Sequence, residues 1–214
     1  MLFLKVLDIE DIEYCKKDLK VAKYQDGSLT QPLNKSYKAK KNKQTQSIPD
    51  YTRKYLIDLL YNHSYIDSIY CPNRISVNFY NKYQEGDYYD IHVDAFKAIP
   101  KSNNVYFDYG ISINLNDDYE GGEFILHTDV GPISRKLESG EAVIFPIIYP
   151  HGVNTVTKGI RENIIGWFSS NVSYEQAFIL KNLYEVNAYL LSTNKENFVK
   201  STLIQTYLKK AWGK

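Results

Sequence analysis

The chain has 214 residues, 43% of them apolar, enough to bury one sizeable core and to predict a single domain over 1–214. A formal charge of +1 gives no electrostatic reason to expect nucleic acid or a membrane surface as partner. Cys15 and Cys71 form neither a disulfide framework nor a metal pair, Asp8, Glu10 and Asp11 interrupt the N-terminus too early for a signal peptide, and no apolar run reaches membrane-span length, so a cytoplasmic setting is expected.

In chain order, residues 2–7 read as a strand, and Asp8 is placed to cap a helix from Ile9 to Lys20 with Asp11 in its first turn. The polar stretch Gln25–Gln46 reads as a loop or short edge strands, and its basic run Lys38, Lys40, Lys41 and Lys43 as a solvated face. Pro49 fits the first turn of a second helix through Tyr61, with His63 as a surface residue beyond it. From Ile75 the apolar period changes to two. Strands are predicted near 75–83, 89–94, 109–116, 122–127, 142–148, 151–156 and 161–170, punctuated by Glu85-Gly86-Asp87, Glu120-Gly121-Gly122 and Ser139-Gly140. So many short strands in a hundred residues predict a mainly β fold, a double-stranded β-helix (jelly roll) over about 75–170. The segment Ala95–Phe107 is expected to act as a lid.

The C-terminal extension, 173–212, reads as helices that buttress the barrel, with dimerisation through them an alternative to a monomer. Ser173-x-x-Gln176 and Thr193-x-x-Glu196 both fit capping boxes. Ile179, Leu183, Val186 and Leu190 form an apolar stripe on the first helix, and Val199, Leu203 and Tyr207 on the second.

The chemistry lies in the strand region. His92 and Asp94, two apart, project to one face of a strand and can bind one metal ion. His151 follows 57 residues after Asp94, room for several strands to pass round a barrel and return opposite the first pair. Two imidazoles and one carboxylate on one face of Fe(II) leave positions open for O2 and a bidentate 2-oxo acid. Arg161, ten residues after His151, is placed to hold an acidic co-substrate. A rival H-x-D stands at His127 and Asp129. Asp129 is only 22 residues from His151, and Gly131-Pro132 reads as a turn, so this pair is assigned to a strand end at the surface.

The segment Tyr83-Gln84-Glu85-Gly86-Asp87-Tyr88-Tyr89-Asp90-Ile91-His92-Val93-Asp94 resembles the strand entering the site of prolyl-4-hydroxylase-like Fe(II)/2-oxoglutarate oxygenases. Gly121-Gly122-Glu123-Phe124 resembles their central hairpin, and Pro150-His151-Gly152-Val153 through Arg161 resembles the segment with the distal His and the co-substrate Arg. Within that family the chain is most like the bacterial PKHD-type hydroxylases, and Tyr24-Gln25-Asp26-Gly27 and Thr206–Trp212 extend the likeness to both ends. Asp90 departs from the group, which often has Gly there.

The resemblance implies that His92, Asp94 and His151 ligate Fe(II) and that Arg161 pairs with the distal carboxylate of 2-oxoglutarate, for which a planar guanidinium fork suits better than a Lys point charge. Tyr83, Trp167 and Asn114 are implied as further co-substrate contacts, and Tyr89 as a substrate-pocket residue. The implied reaction is hydroxylation of an unactivated C–H bond, in a prolyl or related residue of a peptide or protein, with release of succinate and CO2 and with ascorbate as reductant. Because Asp94 fills the position a halide would need, halogenation is disfavoured. The alternatives are hydroxylation of a free amino acid or small metabolite, and a jelly roll that binds without turnover.

Overall fold

The computed structural model describes residues 1–30, 40–94 and 106–212. Its elements, in order, are β1 (Leu2–Lys5), α1 (Ile9–Leu19), β2 (Tyr24–Asp26), β3 (Lys40–Lys41), β4 (Lys43–Thr45), α2 (Asp50–Asn62), α3 (Ser64–Tyr70), β5 (Pro72–Tyr83), β6 (Tyr88–His92), β7 (Tyr109–Asn114), β8 (Glu120–Gly121), β9 (Phe124–Thr128), β10 (Gly131–Arg135), β11 (Glu141–Pro146), β12 (His151–Val153), β13 (Val156–Lys158), β14 (Arg161–Ser170), α4 (Tyr174–Thr193) and α5 (Lys195–Trp212). The strands form a seven-stranded sheet ordered β1-β11-β7-β14-β5-β4-β2, a five-stranded sheet ordered β10-β9-β12-β6-β3 and a short β13-β8 pair. All the pairings are antiparallel, as a jelly-roll core with flanking helices requires.

Period-2 alternation gives the larger sheet two different faces. Ile111, Ile113, Ala142, Ile144, Ile164 and Phe168 point to the helical side, where they join Leu7, Leu56, Leu60 and Ile66 in the main core. Truncating one of these fully buried leucines or isoleucines to Ala costs about 2–5 kcal/mol. Tyr80 also points to that side and donates its hydroxyl to buried Asp18 of α1 at 2.8 Å; Tyr51 donates to the other Asp18 oxygen at 2.5 Å. The opposite face looks across to the smaller sheet. A second apolar cluster of Phe124, Leu126, Leu137, Val143 and Phe145 closes that space at one end. Gly110 stands opposite the Phe145 ring, which a Cβ would meet at 2.5 Å, so only glycine lets the phenyl lie flat on β7.

Local signals behave as their chemistry predicts at Asp8 and Ser173, which both form reciprocal capping boxes. Other expectations change. The second C-terminal cap is Asn194, which accepts from the Asn197 amide at 3.1 Å, because α4 continues through Thr193. Pro49 precedes α2 as its N-cap, and His63 sits at the joint between α2 and α3 with Nε2 3.2 Å from the Lys5 carbonyl. Gly131-Pro132, read as a turn, begins β10: Pro132 pairs with His127 on an edge strand, where a missing N–H removes no ladder bond.

The basic run is not a uniform solvated face. Lys40 is buried and Lys41 pairs with Asp87; Lys38 lies outside the described residues. The predicted stripes of α4 and α5 face outward, with Ile179, Val186, Val199, Leu203 and Tyr207 exposed. The buried positions are instead Ala177, Leu180 and Asn187 on α4 and Ser201 and Gln205 on α5, and Asn187 donates to Gln205 at 2.6 Å. Both helices carry apolar residues on several sides, so periodicity alone could not select the face that packs.

Candidate active site

His92 ends β6 and His151 begins β12, and their Cα atoms are direct partners in the ladder. His151 was expected to return on the opposite wall. It arrives on the adjacent strand, where cross-strand neighbours lie close enough for two imidazoles to converge, and the ring centroids are 4.3 Å apart. Asp94, two residues beyond His92, completes the cluster. His92 Nε2 lies 3.5 Å from Asp94 Oδ1 and His151 Nε2 lies 3.7 Å from Asp94 Oδ2. One ligand atom from each residue falls within 4.8 Å of the others, which is a span that one metal ion can bridge.

The backbone fixes which nitrogens face that point. His92 Nδ1 is 2.9 Å from the Asp90 carbonyl and His151 Nδ1 is 3.0 Å from the Tyr149 carbonyl. A carbonyl only accepts, so Nδ1 carries the proton and donates, leaving the Nε2 lone pairs for a metal. Burial lowers the His151 imidazole to about 4, against the opposing pull of Asp94, so it is a neutral ligand at pH 7. Burial alone would raise the Asp94 carboxyl. The hydrogen bond to His92, the His151 ring and the Trp167 N–H outweigh it and hold the group below its ordinary value, as a carboxylate. The ring of Tyr89 stacks on His92 at 3.7 Å and 15°, and Lys40 Nζ lies 4.8 Å from the centre of the Tyr89 ring. Phe145 and Phe124 enclose His151 at 4.4 and 5.9 Å.

The other wall is β14. Arg161, at its start, is 1% exposed, and its guanidinium carbon lies 5.3 Å from the centre of the Tyr83 ring. NH1 donates to Asn163 Oδ1 at 3.3 Å, while Nε and NH2 have no hydrogen-bond partner, and neither has the buried Tyr83 hydroxyl. A buried guanidinium with open donors is costly unless an anion completes it, so the pocket fits a carboxylate. Burial pushes the Tyr83 phenol up to about 12, so it stays protonated and able to donate. Six residues along, on the same face of the strand, Trp167 donates its indole N–H to Asp94 Oδ2 at 2.7 Å. The residues that can hold a metal ion and those that can hold a dicarboxylate therefore share one interior.

The remaining expected contacts divide. Asn114 commits Nδ2 to the Asn116 and Leu137 carbonyls and the Tyr119 hydroxyl, leaving only the acceptor Oδ1 without a partner. The Asn114 donor is thus engaged with groups at the end of β7 and before β11. Tyr89, expected in a substrate pocket, stacks on the His92 ring. Trp167 bonds Asp94, one of the three residues that could hold a metal ion. Residues 95–105 of the expected lid lie outside the described residues, while Phe107 at its end stacks 6.4 Å from Trp167. The rival His127 is exposed on β9, one residue beyond the Leu126 partner of His151, and among the described residues only His92, Asp94 and His151 form a metal-binding group. Asn163 and Asn81, not among the expected residues, also line this wall as buried cross-strand partners. Their even spacing from Arg161 and Tyr83 sets them on the same strand face.

Comparisons with known proteins agree with this geometry. Residues 75–169 match the 2OG-Fe(II) oxygenase superfamily. A PKHD-type hydroxylase of Gluconobacter oxydans is 30% identical over 89% of this chain and 86% of its own length. A second, from Psychrobacter sp., is 34% identical over 76% of this chain, and the match spans 65% of that relative's length. In fold, the chain is similar to a crystal structure of a Pseudomonas putida prolyl-4-hydroxylase, with TM-score 0.56 and 14% identity, covering 78% of this chain and 91% of that one. The chain belongs to the PKHD-type hydroxylases of the 2OG-Fe(II) oxygenase superfamily.

Proposed function

We propose that this protein hydroxylates an unactivated C–H bond in a prolyl or related residue of a peptide or protein, with 2-oxoglutarate and O2 as co-substrates. The observation that carries the reading is the buried Arg161 guanidinium with open Nε and NH2, one strand wall away from a two-His, one-carboxylate cluster. Ferrous iron held by His92, Asp94 and His151 would activate O2, the oxidant, with conversion of 2-oxoglutarate to succinate and CO2, and ascorbate would keep the iron reduced. The side chains do the rest. Arg161 holds the distal carboxylate, Tyr83 can donate a second hydrogen bond, and the Nδ1 contacts and Trp167 keep the ligand set oriented. Phe79, Trp167 and Phe107 form an aromatic flank beside Asp94, a surface that suits a proline ring. Peptide, protein or small-molecule substrates are the partners this site fits.

The test supplies Fe(II), ascorbate and 2-oxoglutarate and measures succinate with and without proline-containing peptides and free amino acids. Succinate above the uncoupled background with at least one peptide is expected. Coupling only to a free amino acid keeps the chemistry and overturns the peptide assignment. No succinate under any condition, with both Fe(II) and 2-oxoglutarate bound, would make the protein a binding module.

A further inference from the structure

The inner face of the seven-stranded sheet carries a cross-strand row of four amides between Arg161 and Trp167. Gln44 pairs with Asn81, Asn81 with Asn163 and Asn163 with Asn114, across β4, β5, β14 and β7. All four are buried. Three have assigned work. Gln44 Oε1 accepts from Lys40 Nζ at 2.9 Å, Asn163 accepts from Arg161 and donates to Ser112 Oγ at 2.8 Å, and the Asn114 nitrogen serves the β7 turn. Of the four, only Asn81 has both amide atoms buried without a hydrogen-bond partner. Its neighbour Tyr80 points to the helical side and bonds Asp18, so the Asn81 amide faces the interior.

Position gives that amide a use. Asn81 lies two residues from Tyr83, and its partner Asn163 two residues from Arg161, a displacement of about 6.6 Å along β14 in the direction of Trp167 and Asp94. That is of the order of the length of a five-carbon diacid. We propose that Asn81 is a co-substrate-binding residue whose Nδ2 donates to an oxygen of the keto-acid end of 2-oxoglutarate, while Arg161 takes the distal carboxylate. The inference rests on the oxygenase reading above. A buried polar pair this complete is retained where a ligand finishes its hydrogen bonds, and an amide donor binds an anionic oxygen without adding a charge beside the metal carboxylate.

The experiment uses the full chain, saturated with Fe(II) under anaerobic conditions. Dissociation constants are read from the charge-transfer absorption of the iron–2-oxo-acid complex for 2-oxoglutarate and for 2-oxopentanoate, which has a methyl group in place of the distal carboxylate. Asn81→Ala should weaken both acids by the same factor, about tenfold for a lost hydrogen bond to a charged group, with Fe(II) affinity unchanged. Asn81→Asp should weaken both further by like-charge repulsion, whereas Arg161→Ala should weaken 2-oxoglutarate alone. Asn81→Ser, a smaller polar change, gives the same comparison if the alanine variant does not fold. Binding of both acids within about twofold of wild type, or a loss confined to 2-oxoglutarate, overturns the assignment. Failure of the wild-type protein to bind either acid would instead sink the oxygenase reading itself.

Discussion

Trp167 donates its indole N–H to Asp94 Oδ2 at 2.7 Å, so the strand that opens with the buried Arg161 also fixes the carboxylate of the candidate metal site. An indole has one N–H and no acceptor, which leaves Asp94 Oδ1, the oxygen nearer His92, free for a metal. Trp167→Phe keeps the ring and removes the bond. Fe(II) affinity should fall by about tenfold, the low end for loss of an outer partner of a ligand. Anaerobic metal titration checks it, and an unchanged affinity would leave Trp167 as packing alone.

The two H-x-D motifs make opposite predictions. His92→Ala, Asp94→Ala and His151→Ala should each lose most Fe(II) affinity, while His127→Ala should bind as wild type, because His127 faces solvent. Titration of the four variants decides it. A large loss with His127→Ala alone would relocate the site.

Arg161→Ala should raise the 2-oxoglutarate concentration needed for half-maximal turnover by at least about tenfold, with Fe(II) binding little changed, since a charge-assisted bidentate contact is lost. The variant also leaves Asn163 Oδ1 without its donor, so its melting temperature should be measured alongside. An unaltered co-substrate dependence would assign the anchor to another cation.

The metal-free protein should lose stability as pH falls from about 6.5 to about 4. Burial lowers the His151 imidazole to about 4 in the folded chain. Across that window the unfolded chain takes up a proton that the native chain refuses, so acid favours unfolding by an amount approaching roughly 3 kcal/mol. Urea midpoints against pH for wild type and His151→Gln test this. The variant's profile should be flatter, and equal slopes would place the acid sensitivity elsewhere.

Which residues share a strand face was legible from their spacing alone. The spacing of two places His92 with Asp94, and the spacing of six places Arg161 with Trp167, because alternation along a strand is a local property of the extended backbone. The N-cap at Asp8 and the capping box at Ser173 were legible for the same reason: they close within one turn. Strand pairing is not local. Only the tertiary structure put His151 beside His92 in one ladder, made Gly131-Pro132 the start of an edge strand paired with β9, where His127 is exposed, and chose the Asn187 and Gln205 faces of α4 and α5 over the more apolar stripes. It also decided that Asn114 would be spent on its own turn while Asn81 kept an open amide, since hydrogen-bond partners come from strands far apart in the chain.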